Sequence, residues 1–185
     1  MTLLTLRPNG AGVLTQCTPS NVPNWECVNE TPASDEDYVY VAAYVSLKKD
    51  YYALPDHTTE SGTINSVKVY GRAWRDSGSG ENDFYVLIYT GSTEYLGPKN
   101  VLDNFATKVV YNNTWTSNPK TLVAWTWDDI DALQAGVGLD SSSSSYSAYC
   151  SQVYVEVNYT PRPISDINFQ AAFRGMDGGM SRGMR

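Results

Sequence analysis

The chain has a single histidine, His57, in a Pro-Asp-His-Thr-Thr turn. No second histidine is present to share a metal, and no nucleophile motif surrounds it. His57 is therefore expected to be a surface-loop residue. The sequence holds no Gly-x-Ser-x-Gly elbow, no His-Glu-x-x-His, no phosphate loop and no dinucleotide glycine motif. Asp35, Glu36 and Asp37 offer the hard oxygens that calcium takes, but without the alternating spacing and central glycine of an EF-hand loop. They read as a solvated acidic turn. Asp128, Asp129 and Asp131 follow Thr126 and read as first-turn acids of a capped helix. Twenty carboxylates supply many pairs for glycoside hydrolysis, and nothing in the sequence selects one. No catalytic residue, metal ligand or cofactor site is expected. The chemistry that remains is aromatic. Tyr70, Trp74 and Trp115 are the candidate ligand-face residues, with Tyr154 on the same kind of outward position. Such rings stack on saccharides, or are covered by a neighbouring subunit because they bury large area with few rotors.

These residues need strands to hold them. Tyr (14) far exceeds Phe (4), and Ser, Thr and Val are abundant, a composition suited to pleated, half-buried surfaces. Ile64 to Arg75 alternates most clearly: Val67, Val69, Gly71 and Ala73 face one way, and Lys68, Tyr70, Arg72 and Trp74 the other. The small Gly71 and Ala73 predict close packing between sheets. Tyr149 to Tyr159 alternates likewise, with Val153, Val155, Val157 and Tyr159 inward. Further strands are predicted over Leu3–Arg7, Tyr38–Val45, Asp50–Leu54, Asp83–Thr90, Thr93–Leu96 and Phe105–Tyr111, the last turned by Asn112-Asn113. The apolar run in Asp83–Thr90 places that strand in the centre of a sheet or against a partner. Residues 8–36 read as a long irregular stretch that is functional, wraps another surface or conceals short strands, with Trp25 anchored on the core edge. Thr126 to Ala135 is the one helix signal, capped by Thr126, with Ile130 and Leu133 inward and Gly136 as its stop. About eight strands and one short helix predict an all-β fold: an antiparallel two-sheet β-sandwich, jelly-roll-like, with an extended C-terminal arm.

The chain divides by composition into residues 1–160, the sandwich, and 161–185, the arm. The arm carries Arg162, Arg174, Arg182 and Arg185 against Asp166 and Asp177, which leaves 9 basic and 18 acidic residues in the sandwich. A net charge of −7 argues against nucleic acid, whose binding needs clustered Lys and Arg. Ile164, Ile167, Phe169, Phe173, Arg174 and Met176 are the candidate interface residues of the arm, which gains order by binding a neighbour. Cys17, Cys27 and Cys150 are odd in number, so at least one is free or pairs between chains. No membrane span and no secretory signal is expected, and synthesis in a host cytoplasm follows.

Several segments resemble, in order, a β-sandwich domain of virion structural proteins from tailed phages and related viruses. They are Asn24-Trp-Glu-Cys-Val-Asn-Glu30, Ile64-Asn-Ser-Val-Lys-Val-Tyr-Gly-Arg72, Ala124-Trp-Thr-Trp-Asp-Asp-Ile-Asp-Ala-Leu-Gln-Ala-Gly-Val137 and Gln152-Val-Tyr-Val-Glu-Val-Asn-Tyr159. The resemblance implies a non-enzymatic capsid-decoration, head or tail-fibre protein located in the virion. Its implied partners are other copies of itself and other virion proteins. The alternative expectation is a carbohydrate- or receptor-binding sandwich module that uses the outward aromatics on a cell-surface glycan.

Overall fold

The computed structural model describes residues 2–76, 78, 80–102 and 107–163. The described residues form two antiparallel sheets packed face to face. The elements are β1 (Thr2–Leu6), β2 (Gly10–Thr15), β3 (Thr18–Pro19), a single 3-10 turn (Glu26–Val28), β4 (Val39–Val41), β5 (Lys48–Ala53), β6 (Gly62–Arg75), β7 (Asp83–Thr90), β8 (Thr93–Leu96), β9 (Asn100–Val101), β10 (Val109–Trp115), α1 (Trp127–Asp131), β11 (Gln134–Asp140) and β12 (Ala148–Pro161). The first sheet runs β10-β6-β12-β4-β3, with β1 beside β4 along the same edge of β12. The second runs β2-β5-β11-β7-β8, with β9 also paired to β7. The expected sandwich is thus observed.

The core lies between the sheets. Val67, Val69, Ala73, Val153, Val155 and Val157 are fully buried on the first sheet, and Phe84, Val86, Ile88, Val137 and Leu139 on the second. The close packing expected at Gly71 takes a specific form. A β-carbon there would stand 2.4 Å from Cζ of Phe84, so the absent side chain is what lets that ring reach the opposite sheet.

Asp50, in the middle of β5, is a fully buried acidic residue. Its carboxylate accepts from the backbone N–H groups of Gln16 and Cys17 at 2.6 and 2.8 Å, and from Asn24 Nδ2 and the Tyr52 hydroxyl at 2.6 and 3.2 Å. Four donors offset the desolvation that a buried carboxylate otherwise suffers. They also pin the chain between β2 and the 3-10 turn against the core, where Trp25 is half-buried as expected.

The stretch from 8 to 36 conceals two short strands, β2 and β3, one of the alternatives open for it. Two expectations change. Asn112-Asn113 does not turn the chain, because β10 runs unbroken through both, paired to Tyr70 and Val69. The helix ends at Asp131, and Gln134–Asp140 is instead a central strand of the second sheet. Its Gly136 is not a helix stop: a β-carbon there would lie 2.1 Å from the carbonyl oxygen of Asp50 on β5. The run in Asp83–Thr90 is central, as one of its two alternatives held, with β11 on one side and β8 and β9 on the other. The arm residues Ile164, Ile167, Phe169, Phe173, Arg174 and Met176 lie outside the described residues.

Candidate functional site

β6 and β12 pair along nearly their whole length, and their alternation projects one ladder of side chains outward. The register sets Trp74 beside Tyr149, Arg72 beside Gln152, Tyr70 beside Tyr154, and Lys68 beside Glu156. β4 adds Tyr40 next to Tyr149. The aromatic members are half-buried. Tyr70 and Trp74 therefore stand on the outward face that the alternation predicts. Trp115 does not. It lies on the core side of β10, packed against the buried cluster, with its carbonyl accepting from Trp125 Nε1 at 3.1 Å. On this strand Asn112 and Thr114, not Trp115, face outward, because odd-numbered positions of β10 pair with the inward positions of β6.

The rings stand upright on the sheet. Tyr70 and Tyr154 are 4.4 Å apart between centroids and only 8° from parallel. That separation matches the ~4.8 Å between neighbouring strands. Rings lying flat on the sheet at this spacing would overlap, so their faces must meet across the strands. Trp74 and Tyr149 do the same at 5.3 Å and 10°, and Tyr40 extends that column at 5.9 Å from Tyr149. Cations cap the stacks. Arg7 lies 5.1 Å from the Tyr154 centroid, Lys68 4.6 Å from Tyr70, and Lys108 5.3 Å from Trp74. Such contacts contribute about 0.5–1 kcal/mol at exposed sites. Tyr70 and Trp74 have thus already committed their ring faces to neighbours.

Tyr38 differs. It precedes β4 and lies crosswise to Tyr40, Tyr149 and Trp74, at 69°, 87° and 81° to their planes and 6.1, 5.2 and 5.8 Å from their centroids. A ring perpendicular to a three-ring column, and nearest its middle member, meets the column's edges with one of its faces. The other face has no aromatic or cationic partner among the described residues. Its backbone is held by Ser20, whose hydroxyl accepts the Tyr38 N–H at 3.0 Å.

Beside Tyr38 lies an ionic row. Asp35 receives Arg72 through two hydrogen bonds at 3.1 and 3.0 Å, the Ser151 hydroxyl at 3.0 Å, and the Lys108 ammonium at 3.4 Å. Burial pushes the Asp35 carboxyl up, but the hydrogen bonds from Arg72 and Ser151 and the nearby Arg72 and Lys108 charges outweigh it. The carboxyl is held below its usual range. Asp37 bonds Asn21 instead. The acidic turn is therefore spent on protein contacts rather than gathered for a cation. Burial, then hydrogen bonds to Asp76 and Glu156, push the Tyr149 and Tyr70 hydroxyls each up to about 12. Both remain protonated donors at neutral pH. The hydroxyls of Tyr38, Tyr40 and Tyr154 make no hydrogen bond to another described residue.

At the opposite end of the sandwich, His57 is tied down more than a loop histidine need be. Its Nδ1 lies 2.7 Å from Asp131, its backbone N–H donates to the same oxygen at 2.9 Å, and its ring leans on Trp127 at 4.9 Å. Asp129 forms the capping box with Thr126, whereas Asp131 serves His57. No hydroxyl or thiol nucleophile is hydrogen-bonded to this pair among the described residues.

Sequence reasoning missed Tyr38, Tyr40 and Lys108 as members of the face. The Tyr-Val-Tyr-Val alternation at 38–41 was the available signal for the two tyrosines. Lys108 has none, because it arrives from the segment before β10.

No protein-family model matches this sequence, and no curated protein does. Among solved structures, a CBM35 from Cellvibrio japonicus is similar at 13% identity, covering 87% of this chain and 96% of that one, with a TM-score of 0.43. The CBM22-1 xylan-binding domain from Paenibacillus barcinonensis is similar at 10% identity over 85% of this chain and 94% of its own, TM-score 0.41. A Stig cyclase from Fischerella is similar at 11% identity over 85% and 84%, TM-score 0.43. None of these three is a virion protein.

Proposed function

We propose that the chain is a non-catalytic recognition module that binds a saccharide on the outer face of its first sheet. The observation that carries this is Tyr38: a ring braced on a rigid three-ring column, with no aromatic or cationic partner on its other face among the described residues. A sugar ring stacks on such a surface at little entropic cost, since the aromatic is already immobilised. The polar row of Arg72, Gln152 and Asp35 lies beside it, and the hydroxyls of Tyr38, Tyr40 and Tyr154 remain available to sugar hydroxyls. The carbohydrate-binding names belong to the similar structures; for this chain the support is the geometry around Tyr38.

The test is a glycan array probed with the full chain, followed by titration of the best hit. Tyr38→Ala should weaken binding about tenfold or more, which is about 1.4 kcal/mol, while Tyr38→Phe keeps the ring and most of the affinity. A folded protein that binds no saccharide, or an alanine variant that binds as tightly as the parent, would sink the proposal.

A second reading is a building block of a virion, contacting copies of itself and other virion proteins. Leu3 and Val110 favour it: they are 56% and 44% exposed on this same outer face, and a face rich in Tyr, Trp and Arg also suits a protein interface. An oligomer in solution with no glycan binding would move the assignment to that reading.

A further inference from the structure

We propose that the saccharide carries carboxylates and that Arg7 and Lys68 receive them. This rests on the reading that the first sheet's outer face binds a saccharide, and adds the chemical class of that ligand.

The sequence holds 20 acidic residues against 13 Lys and Arg, so a cation has ample choice of internal partner. Four described cations have taken one. Lys49 lies 2.7 Å from Glu94, Arg72 3.0 Å from Asp35, Lys99 2.8 Å from Asp83, and Lys108 3.4 Å from Asp35. Arg7 and Lys68 have no ion pair among the described residues, and both are instead held over tyrosine rings. Glu156 is the neighbour of Lys68 in register, but it makes no ion pair with it; one of its oxygens accepts the Tyr70 hydroxyl at 2.6 Å instead. Arg7 is fixed in place by one bond, from Nη1 to the carbonyl of Glu30 at 3.0 Å.

The two cations bracket one structure. Arg7 follows β1 and covers Tyr154 on β12; Lys68 on β6 covers Tyr70; the two rings stack on each other between them. A cation held on a ring face keeps its remaining donors for an incoming anion. The guanidinium offers a planar fork to a carboxylate, and the ammonium a point charge. The sandwich carries 9 basic and 18 acidic residues, so most of its surface repels an acidic polymer, and a pair of cations without ion pairs on the sugar-binding face selects where on the sandwich it lands. A neutral saccharide would use their N–H donors but not their charge. Nucleic acid also carries regular negative charge, but its backbone binds through clusters of Lys and Arg, and two cations without ion pairs do not make one. The ligand class is a polysaccharide containing uronic acid.

The test uses the full chain and calorimetric titration with polygalacturonate and alginate, their methyl esters, and a single-stranded DNA oligomer. The esters keep the sugars and remove the charge. The acids should bind at least tenfold more tightly than the esters, and more weakly as salt rises. Arg7→Gln with Lys68→Gln should erase that preference, Arg7→Lys with Lys68→Arg should keep it, and Lys120→Gln, away from this face, should leave it unaltered; folding of each is checked by circular dichroism. Equal binding of acid and ester, or a glutamine variant that still prefers the acid, overturns the inference. So does DNA that binds as tightly as the acids, which would mark a general polyanion surface. Binding of neutral glycans but of no uronate refutes the carboxylate inference alone. Binding of no glycan of either kind refutes the saccharide reading beneath it.

Discussion

Trp74 shows how far a residue's role depends on the plane of its ring. Its outward position is readable from alternation, but a ring that faces outward and a ring that offers its face outward are different things. Stacked on Tyr149 and capped by Lys108, Trp74 is a brace. Tyr38 offers the face, and it does so only because three rings from three strands stand beneath it. Asp35 gathers Arg72, Ser151 and Lys108 on the same face, and its depressed pKa gives a direction for pH dependence. A carboxyl whose folded pKa lies below the roughly 3.9 of an unfolded aspartate contributes stability above that value and loses it as pH falls through the folded pKa. Thermal stability should therefore decline below about pH 4 more steeply in the parent than in Asp35→Asn. Equal slopes would show that the Arg72 and Lys108 contacts do not bear on folding. The thiols give a second prediction at this scale. Cys17, Cys27 and Cys150 are free and buried. Burial pushes the first up strongly, aided by Asp50, and the third up to about 12. Native protein at pH 8 should not react with a thiol reagent, and all three thiols should appear on unfolding. Fast labelling of any one in the native state would contradict this.

At the scale of elements, legibility follows exposure. β6 and β12 were plain in the sequence because one face of each is buried and the other half-exposed, so polarity alternates with side-chain direction. β11 was hidden because both of its faces are covered. Gln-Ala-Gly-Val-Gly-Leu-Asp has no polar side, and its glycines, needed for the close approach of Asp50, Leu47 and Tyr85, resemble the end of a helix. β2 and β3 were hidden by the prolines around them, and what fixes that region is a contact no local pattern displays: the carboxylate of Asp50 reaching back from β5. His57 and Asp131, 74 positions apart, meet for the same non-local reason. Gly71, by contrast, was correctly read as a mark of close sheet packing, and it supports a prediction. Gly71→Ala should destabilise the fold by about 1–3 kcal/mol, as overpacking does, because the new methyl meets the Phe84 ring. Phe84→Leu should recover part of that loss in the double variant, read by urea denaturation. Additive losses would mean that the ring and the glycine are not coupled.

For the whole molecule, the composition foretold the two-sheet sandwich, since little else accommodates so many tyrosines, threonines and valines with so few helix formers. The division of labour between its surfaces was not foretold. Four of the cations in an otherwise acidic protein, Arg7, Lys68, Arg72 and Lys108, gather on or beside one sheet face with six aromatic rings. That concentration is the ground on which we propose the outer face of the first sheet as the binding face. The most direct measurement is the glycan array with the full chain and its Tyr38→Ala variant side by side. The account predicts a specific saccharide signal from the parent that the variant loses. A signal that survives the loss of Tyr38, or a folded parent that captures no saccharide, would contradict it.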